Sequence, residues 1–186
     1  PVFVSRAFRH SGIYVRADAG IVTPKDLEGR VIGVPEYQMT MALWARGILQ
    51  DDYGVDCRTF KTRTGGTNKA GRSERLPLVL PDHLDVRPIG DDENLNNLLL
   101  AGALDAMISP MTPQAFTAGD PRIRRLFTDP IAEERAYFAR AGVFPIMHVI
   151  GIRRHLVDAN PELASNVFEA FVAARRIAMD CLEKTA

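Results

Sequence analysis

The sequence predicts an α/β protein, and three observations carry the prediction. The apolar run Val31 to Val34 stops at Pro35, and Met39, Met41, Leu43, Trp44, Ile48 and Leu49 then recur at roughly helical spacing. A helical stretch with Leu95, Leu98, Leu99 and Leu100 is closed by Gly102 and followed by a buried-strand run, Ala106 to Ser109, that Pro110 stops. Strand, helix and strand thus alternate, which favours a parallel sheet.

From the N-terminus, Val2 to Ser5 and Ile13 to Arg16 read as extended segments flanking the polar stretch Arg6 to Ser11. Pro1 to Arg6 already resemble the inside of a strand, as expected of a piece of a longer protein. Thr23-Pro24-Lys25-Asp26-Leu27 carries a helix-start signal, with Thr as N-cap, Pro at the first position and Asp as a capping-box-like partner, and Gly29 ends the turn. After the Val31 strand and its helix, Arg58 to Thr62 is expected as a strand broken by Thr64-Gly65-Gly66. Lys69 to Arg75 reads as an exposed loop, and Leu76 to Leu80 and Val86 to Ile89 as short strands separated by Pro81 and Asp82.

Asp91 or Asp92 is the expected cap of the Leu95 helix. Pro121 to Phe127 and Ile131 to Arg140 read as helical or turn segments, and Phe144 to Ile152 as a second long extended run. Asn160-Pro161-Glu162 then starts a long helix on which Leu163, Val167, Phe171, Ala174, Ala178 and Leu182 share a face. Met39, Met41, Trp44, Phe168 and Phe171 fit the core faces of their helices.

With 186 residues, 46% hydrophobic and 25% charged, the chain has room for one domain or a compact pair of lobes. Its 23 basic residues equal its 23 acidic ones, so no net field attracts nucleic acid or an anionic membrane, and any anion site must be local. The apolar runs fall short of the roughly 20 residues of a membrane-spanning helix, and the N-terminus lacks a secretory pattern, so no membrane insertion is expected. Cys57 and Cys181 form no CxxC or metal-ligand spacing and are expected as buried free thiols. No nucleophilic-triad, phosphate-loop or dinucleotide motif is present, so no cofactor is predicted; the histidines are not at zinc-motif spacing, although ligands from different elements could meet in space, and a metal requirement stays open.

The strand-to-helix junction Pro35-Glu36-Tyr37-Gln38-Met39-Thr40 directs backbone N–H groups outward, and the first turn can hold an anion. That contribution is about 0.3–1 kcal/mol, up to about 2 when partly buried, so other groups must help.

The run Thr23 to Pro35 resembles the lead-in to the second lobe of type 2 periplasmic-binding-protein folds. Four further strings, SRAFRHS (Ser5 to Ser11), PEYQMT (Pro35 to Thr40), RTGG (Arg63 to Gly66) and FPIMH (Phe144 to His148), resemble the 4,5-dihydroxyphthalate decarboxylase branch of that superfamily over nearly the whole chain. The resemblance implies two lobes joined by two crossover strands: residues 1–18 as a crossover strand and part of lobe 1, 19–143 as lobe 2, and 144–186 as the return crossover and a lobe 1 helix. Such proteins are longer, so this chain would hold only part of the first lobe. Around Thr67-Asn68-Lys69-Ala70 a Lys-containing turn replaces the acidic or Gln-containing one usual in the family, a change either of specificity or of an exposed loop.

The implied activity is decarboxylation of 4,5-dihydroxyphthalate to 3,4-dihydroxybenzoate. His10 and His148, on the two segments assigned as crossovers, are expected to share acid and base roles, against the plain alternative that each is a structural histidine. Arg6, Arg9 and Arg63 offer planar forks for a carboxylate, or are solvated surface groups. Tyr37, Gln38 and Thr40 belong to the anion-binding turn, and Gly65 and Gly66 either admit a ligand close to the backbone or simply form a turn. Glu36 and Tyr37 are alternates for handling the phenolic proton, with Glu36 otherwise a helix-start carboxylate. The expected partner is a small aromatic carboxylate, and homo-oligomerisation stays open. A competing reading is a non-catalytic solute-binding protein that passes a carboxylate to a transporter permease, periplasmic where the enzyme would be cytoplasmic. A regulator's effector domain would need a DNA-binding segment that this chain lacks.

Overall fold

The computed structural model describes residues 2–184; Pro1, the first residue of the N-terminal extended reading, and residues 185 and 186 of the last predicted segment lie outside them. In chain order the elements are β1 (Ser5–Arg6), β2 (Ile13–Arg16), β3 (Val31–Val34), α1 (Thr40–Tyr53), β4 (Lys61–Thr64), β5 (Asp85–Pro88), α2 (Leu95–Ala101), β6 (Ala106–Ile108), α3 (Gln114–Thr117), β7 (Ile123–Arg125), α4 (Pro130–Ala141), β8 (Ile146–His148), α5 (Arg154–Ala159) and α6 (Leu163–Glu183). They form two units, a larger one over Phe8–Phe144 and a smaller one from 2–7 with 145–184.

The larger unit is built on a six-stranded sheet in the order β5-β4-β3-β6-β2-β7. β5, β4, β3 and β6 run parallel, whereas β2 is antiparallel to both β6 and β7, so the sheet is mixed rather than purely parallel. Among the described residues only the 3-10 turn His10–Gly12 lies between β1 and β2, so no crossover helix there imposes the parallel sense. The two-residue side-chain period of the strands divides the core into two layers. Ile13, Val15, Ile32, Val34, Ala106 and Ile108 face α1 through Met41, Ala42, Ala45 and Leu49. Tyr14 and Met107, on the opposite face, pack with Leu95 and Leu99 of α2 and Ala115 of α3.

The capped turn at Thr23 forms as a 3-10 helix over Pro24–Leu27, with the Asp26 carboxylate accepting from the N–H groups of Val22 (2.9 Å) and Thr23 (2.7 Å). Several local expectations are corrected. Cys57–Thr59 is a 3-10 turn and the strand starts only at Lys61, because Asp56 accepts the Arg58 N–H at 3.1 Å and bends the chain. The cap of α2 is Asn94, which accepts the Asn97 N–H at 2.9 Å; Asp91 and Asp92 lie too far upstream. Leu76 to Leu80 forms no strand: Pro77 and Pro81 remove ladder donors, and Val79 is 94% exposed. The segment read as helix or turn over Pro121 to Phe127 holds edge strand β7, started by a turn in which Asp120 accepts the Arg122 N–H at 3.0 Å.

In the smaller unit β1 and β8 pair antiparallel, with Ser5 opposite His148 and Arg6 opposite Ile146. The two long extended runs of the sequence reading contain only these short ladders. The α6 helix forms as its periodicity predicts, yet none of its residues is buried; Phe168 (50% exposed) and Phe171 (37%) are not core. Amphipathic spacing shapes the helix, and burial additionally needs a covering element. Cys181, on this helix, is likewise exposed rather than buried.

Candidate substrate cavity

The residues after β4 build a cavity of about 620 Å³ in the larger unit. Its floor is Gly66 to Asn68. The Gly66 and Thr67 carbonyls accept the Leu95 and Asn96 N–H groups at the start of α2, at 2.8 and 2.9 Å. The Thr67 and Ser109 hydroxyls lie 2.9 Å apart, and Asn68 bridges to the Thr112 carbonyl and the Gln114 N–H, each at 3.0 Å. These bonds tie the floor to the ends of β4 and β6, where parallel α/β sheets place their ligands.

The wall carries charge. Pro35 ends β3 and sets Glu36, 6% exposed, against the cavity. The Arg72 Nε donates to Glu36 Oε1 at 3.0 Å and its Nη2 donates to the same oxygen, while Arg75 Nε lies 3.6 Å from it. Lys69 also lines the cavity and makes no ion pair among the described residues. Three cations and one carboxylate therefore line the cavity, leaving a local surplus of two positive charges on a chain whose net charge is zero.

Of the residues singled out from sequence, Glu36 and Gly66 line this cavity. Gly65 is buried just before it, beside Ile89. Tyr37 faces a smaller pocket of about 280 Å³, with the Arg46 guanidinium stacked 3.9 Å over its ring. Its N–H, expected to be free for an anion, donates to the Glu74 carboxylate, and the Met39 N–H donates to the Glu36 carbonyl at 3.3 Å. Helix α1 itself begins only at Thr40; Gln38 and Thr40 are exposed. Arg63 is clamped onto Asp85 by two hydrogen bonds of 3.2 and 3.3 Å, which engage its fork within the sheet edge. Arg9 is half-buried, and burial lowers its pKa against the opposing pull of Glu134. Arg6, in the smaller unit, is exposed with its guanidinium 5.7 Å from the Phe3 ring centre.

His10 sits on a 3-10 turn, His10–Gly12, not on an extended segment as expected; the Gly12 N–H closes the turn onto the Arg9 carbonyl at 3.2 Å. Its ring, 1% exposed, packs among Phe127, Tyr137 and Tyr53 at centroid distances of 5.2, 5.5 and 6.1 Å, and neither ring nitrogen has a hydrogen-bond partner among the described residues. Burial lowers the His10 pKa; Glu134, Glu133 and Asp52 oppose that shift and Arg140 adds to it. A folded-state pKa below the unfolded value means that the unfolded chain takes up a proton first as pH falls. The thermal midpoint is therefore expected to fall between about pH 7.5 and 5.5, a range bracketing the reference imidazole value of about 6.5. A His10→Phe variant, which fits the same aromatic box, should lose part of that dependence; identical pH profiles would contradict it.

His148 is exposed on β8 of the smaller unit, and its Nδ1 lies 2.5 Å from the Ser5 hydroxyl. The contact joins two strings read separately in the sequence, SRAFRHS and FPIMH. Cys57, half-buried, donates its thiol to the Arg46 carbonyl at 3.5 Å, and burial pushes its pKa up to about 12. Alkylation by iodoacetamide at pH 8 is expected to leave Cys57 unmodified in the folded protein and to reach it only after unfolding, as peptide mass spectrometry would show.

Sequence reasoning missed Arg72 and Arg75 as cavity residues, reading them as an exposed loop, and left Lys69 open between a change of specificity and an exposed loop. Their clustering just after a double glycine was the available signal. Among the described residues no three His, Cys, Asp or Glu side chains gather as a metal ion would need.

No protein-family model matches the chain. It is 40% identical over 185 residues to a 4,5-dihydroxyphthalate decarboxylase of Comamonas testosteroni, covering 100% of this chain and 56% of that protein. It is 44% identical over 130 residues to a 4,5-dihydroxyphthalate decarboxylase of Pseudomonas putida, covering 70% of this chain and 50% of that one. The resemblance carried by the sequence motifs thus holds along the entire chain, which spans about half the length of the curated relatives it matches.

Proposed function

We propose that this chain, similar over its whole length to 4,5-dihydroxyphthalate decarboxylases, contributes the substrate cavity of a carboxy-lyase acting on a hydroxylated aromatic diacid. The observation that carries the reading is the cationic cavity: its surplus of two positive charges around Glu36 matches a phthalate-type dianion. The two units are read as portions of the lobes of a type 2 periplasmic-binding-protein fold joined by crossover strands.

The reaction consumes one proton. A proton added at the ring carbon bearing the leaving carboxylate gives a dearomatised intermediate that the para hydroxyl stabilises. Cleavage of the bond to the carboxylate carbon then returns its electron pair to the ring, releasing carbon dioxide and 3,4-dihydroxybenzoate. His148, exposed and oriented by Ser5, and His10, nearly buried in its aromatic box, are read as sharing the acid and base roles, with the direction unassigned. Glu36 holds Arg72 in place, and the phenolic proton is the group it would otherwise handle.

No helix among the described residues is long and apolar enough to cross a membrane. The test is to incubate the full-length protein with 4,5-dihydroxyphthalate and follow the products chromatographically. Equimolar 3,4-dihydroxybenzoate and carbon dioxide are expected. Saturable binding of the diacid without turnover would overturn the enzyme reading and favour solute binding.

A further inference from the structure

We propose that Lys69 and Arg75 are specificity-determining residues that read a second carboxylate on the ligand, so that the cavity prefers an aromatic dianion to the corresponding monoanion. The inference rests on the reading of this cavity as the substrate site and goes further by assigning the discrimination to two side chains.

The three cations of the cavity are not equivalent. Arg72 is committed: its Nε and Nη2 both donate to Oε1 of the nearly buried Glu36, and its side chain is 31% exposed. That pair is close to self-neutralising, and its geometry is fixed from both ends. Arg75 reaches the same oxygen only at 3.6 Å, off its Nε, and its side chain is 82% exposed, so its guanidinium edge remains available to a ligand. Lys69 is exposed and has no ion-pair partner among the described residues. One carboxylate cannot compensate three cations, so the available charge on the cavity wall belongs to Lys69 and Arg75.

Both residues come from one short loop whose course is fixed at its root. A side chain at Gly66 would overlap the Lys69 carbonyl oxygen, and Gly71 turns the chain at φ 79°. The loop therefore delivers the two cations to one cavity instead of dispersing them. A monoanion satisfies one of them and leaves the other facing an apolar ring; a diacid with adjacent carboxylates satisfies both.

Turnover then changes the fit. The substrate dianion takes up one proton and loses neutral carbon dioxide, so the product carries one negative charge fewer. The same two residues that favour substrate make the product a poorer ligand, and they assist its release.

The experiment uses the full-length protein and two probes that lack the ring hydroxyls needed for reaction, phthalate and benzoate. Affinities are measured calorimetrically for the wild type, Lys69→Ala, Arg75→Ala and the double variant, with inhibition by 3,4-dihydroxybenzoate measured in parallel. Each single variant is expected to bind phthalate about tenfold more weakly while benzoate, which can use the remaining cation, changes less than about twofold; the double variant is expected to weaken both probes. Lys69→Arg with Arg75→Lys should restore most of the phthalate preference, which separates charge from folding damage. Equal weakening of both probes in the single variants, or an unchanged preference there, overturns the proposal. A wild-type protein that turns over 4,5-dihydroxyphthalate but shows no such preference overturns this proposal alone; one that neither turns it over nor binds phthalate overturns the parent reading as well.

Discussion

His148→Ala in the full-length protein is expected to slow carbon dioxide release from 4,5-dihydroxyphthalate by about 10²–10⁴-fold, the usual contribution of a positioned acid or base. The ring is exposed, so its removal leaves no cavity in a core and the stability cost should be small. Its orientation depends on Ser5, 2.5 Å from Nδ1, so Ser5→Ala should produce a smaller loss in the same direction. A His148→Ala enzyme with unchanged kcat would remove His148 from the reaction, whatever the effect on KM.

Gly66→Ala carries the second large effect. A Cβ at this position would meet the Lys69 carbonyl oxygen, a backbone atom that cannot rotate away, so the loop bearing Lys69, Arg72 and Arg75 must shift. The expected cost is about 1–3 kcal/mol of stability from overpacking. Displacement of cavity groups by about 1 Å is worth roughly 10²-fold in rate. Gly65→Ala provides the comparison, because the atoms nearest the Cβ there belong to the Ile89 side chain, which can repack. A milder effect at position 65 than at 66, in both thermal midpoint and kcat/KM, is the expected pattern. Equal effects would mean that the double glycine acts as an ordinary turn.

The parts of the fold legible in sequence are those decided locally. Val31 to Val34 ends where Pro35 must end it, Gly102 closes α2 in the left-handed conformation at φ 82°, and Ala106 to Ile108 is apolar on both faces because both are covered. Elements decided by distant partners were not legible. β7 is a strand because β2 offers it a ladder, and its own residues, Ile123-Arg124-Arg125, carry no β pattern. Leu76 to Leu80 has the apolar content of a strand and no partner to pair with. Phe168 and Phe171 show helical spacing, which reveals an amphipathic face without revealing what covers it.

The cavity divides in the same way. Glu36 was legible because it follows the strand-ending proline, and Gly66 because a double glycine marks a close backbone approach. Arg72 was not, since its role comes from a carboxylate 36 positions earlier that only the folded sheet brings within 3.0 Å. The anion-binding turn illustrates the converse. Its Tyr37 N–H exists as predicted, but Glu74, a residue of the same irregular loop, already accepts from it.

A crystal structure of the full-length protein with phthalate, which lacks the hydroxyls needed for turnover, tests the central claim most directly. Phthalate in the cavity above Gly66 and Thr67, with its carboxylates within hydrogen-bonding distance of Lys69 and Arg75, is the result this account predicts. Phthalate bound elsewhere, with this cavity filled only by solvent at saturating ligand, would contradict it.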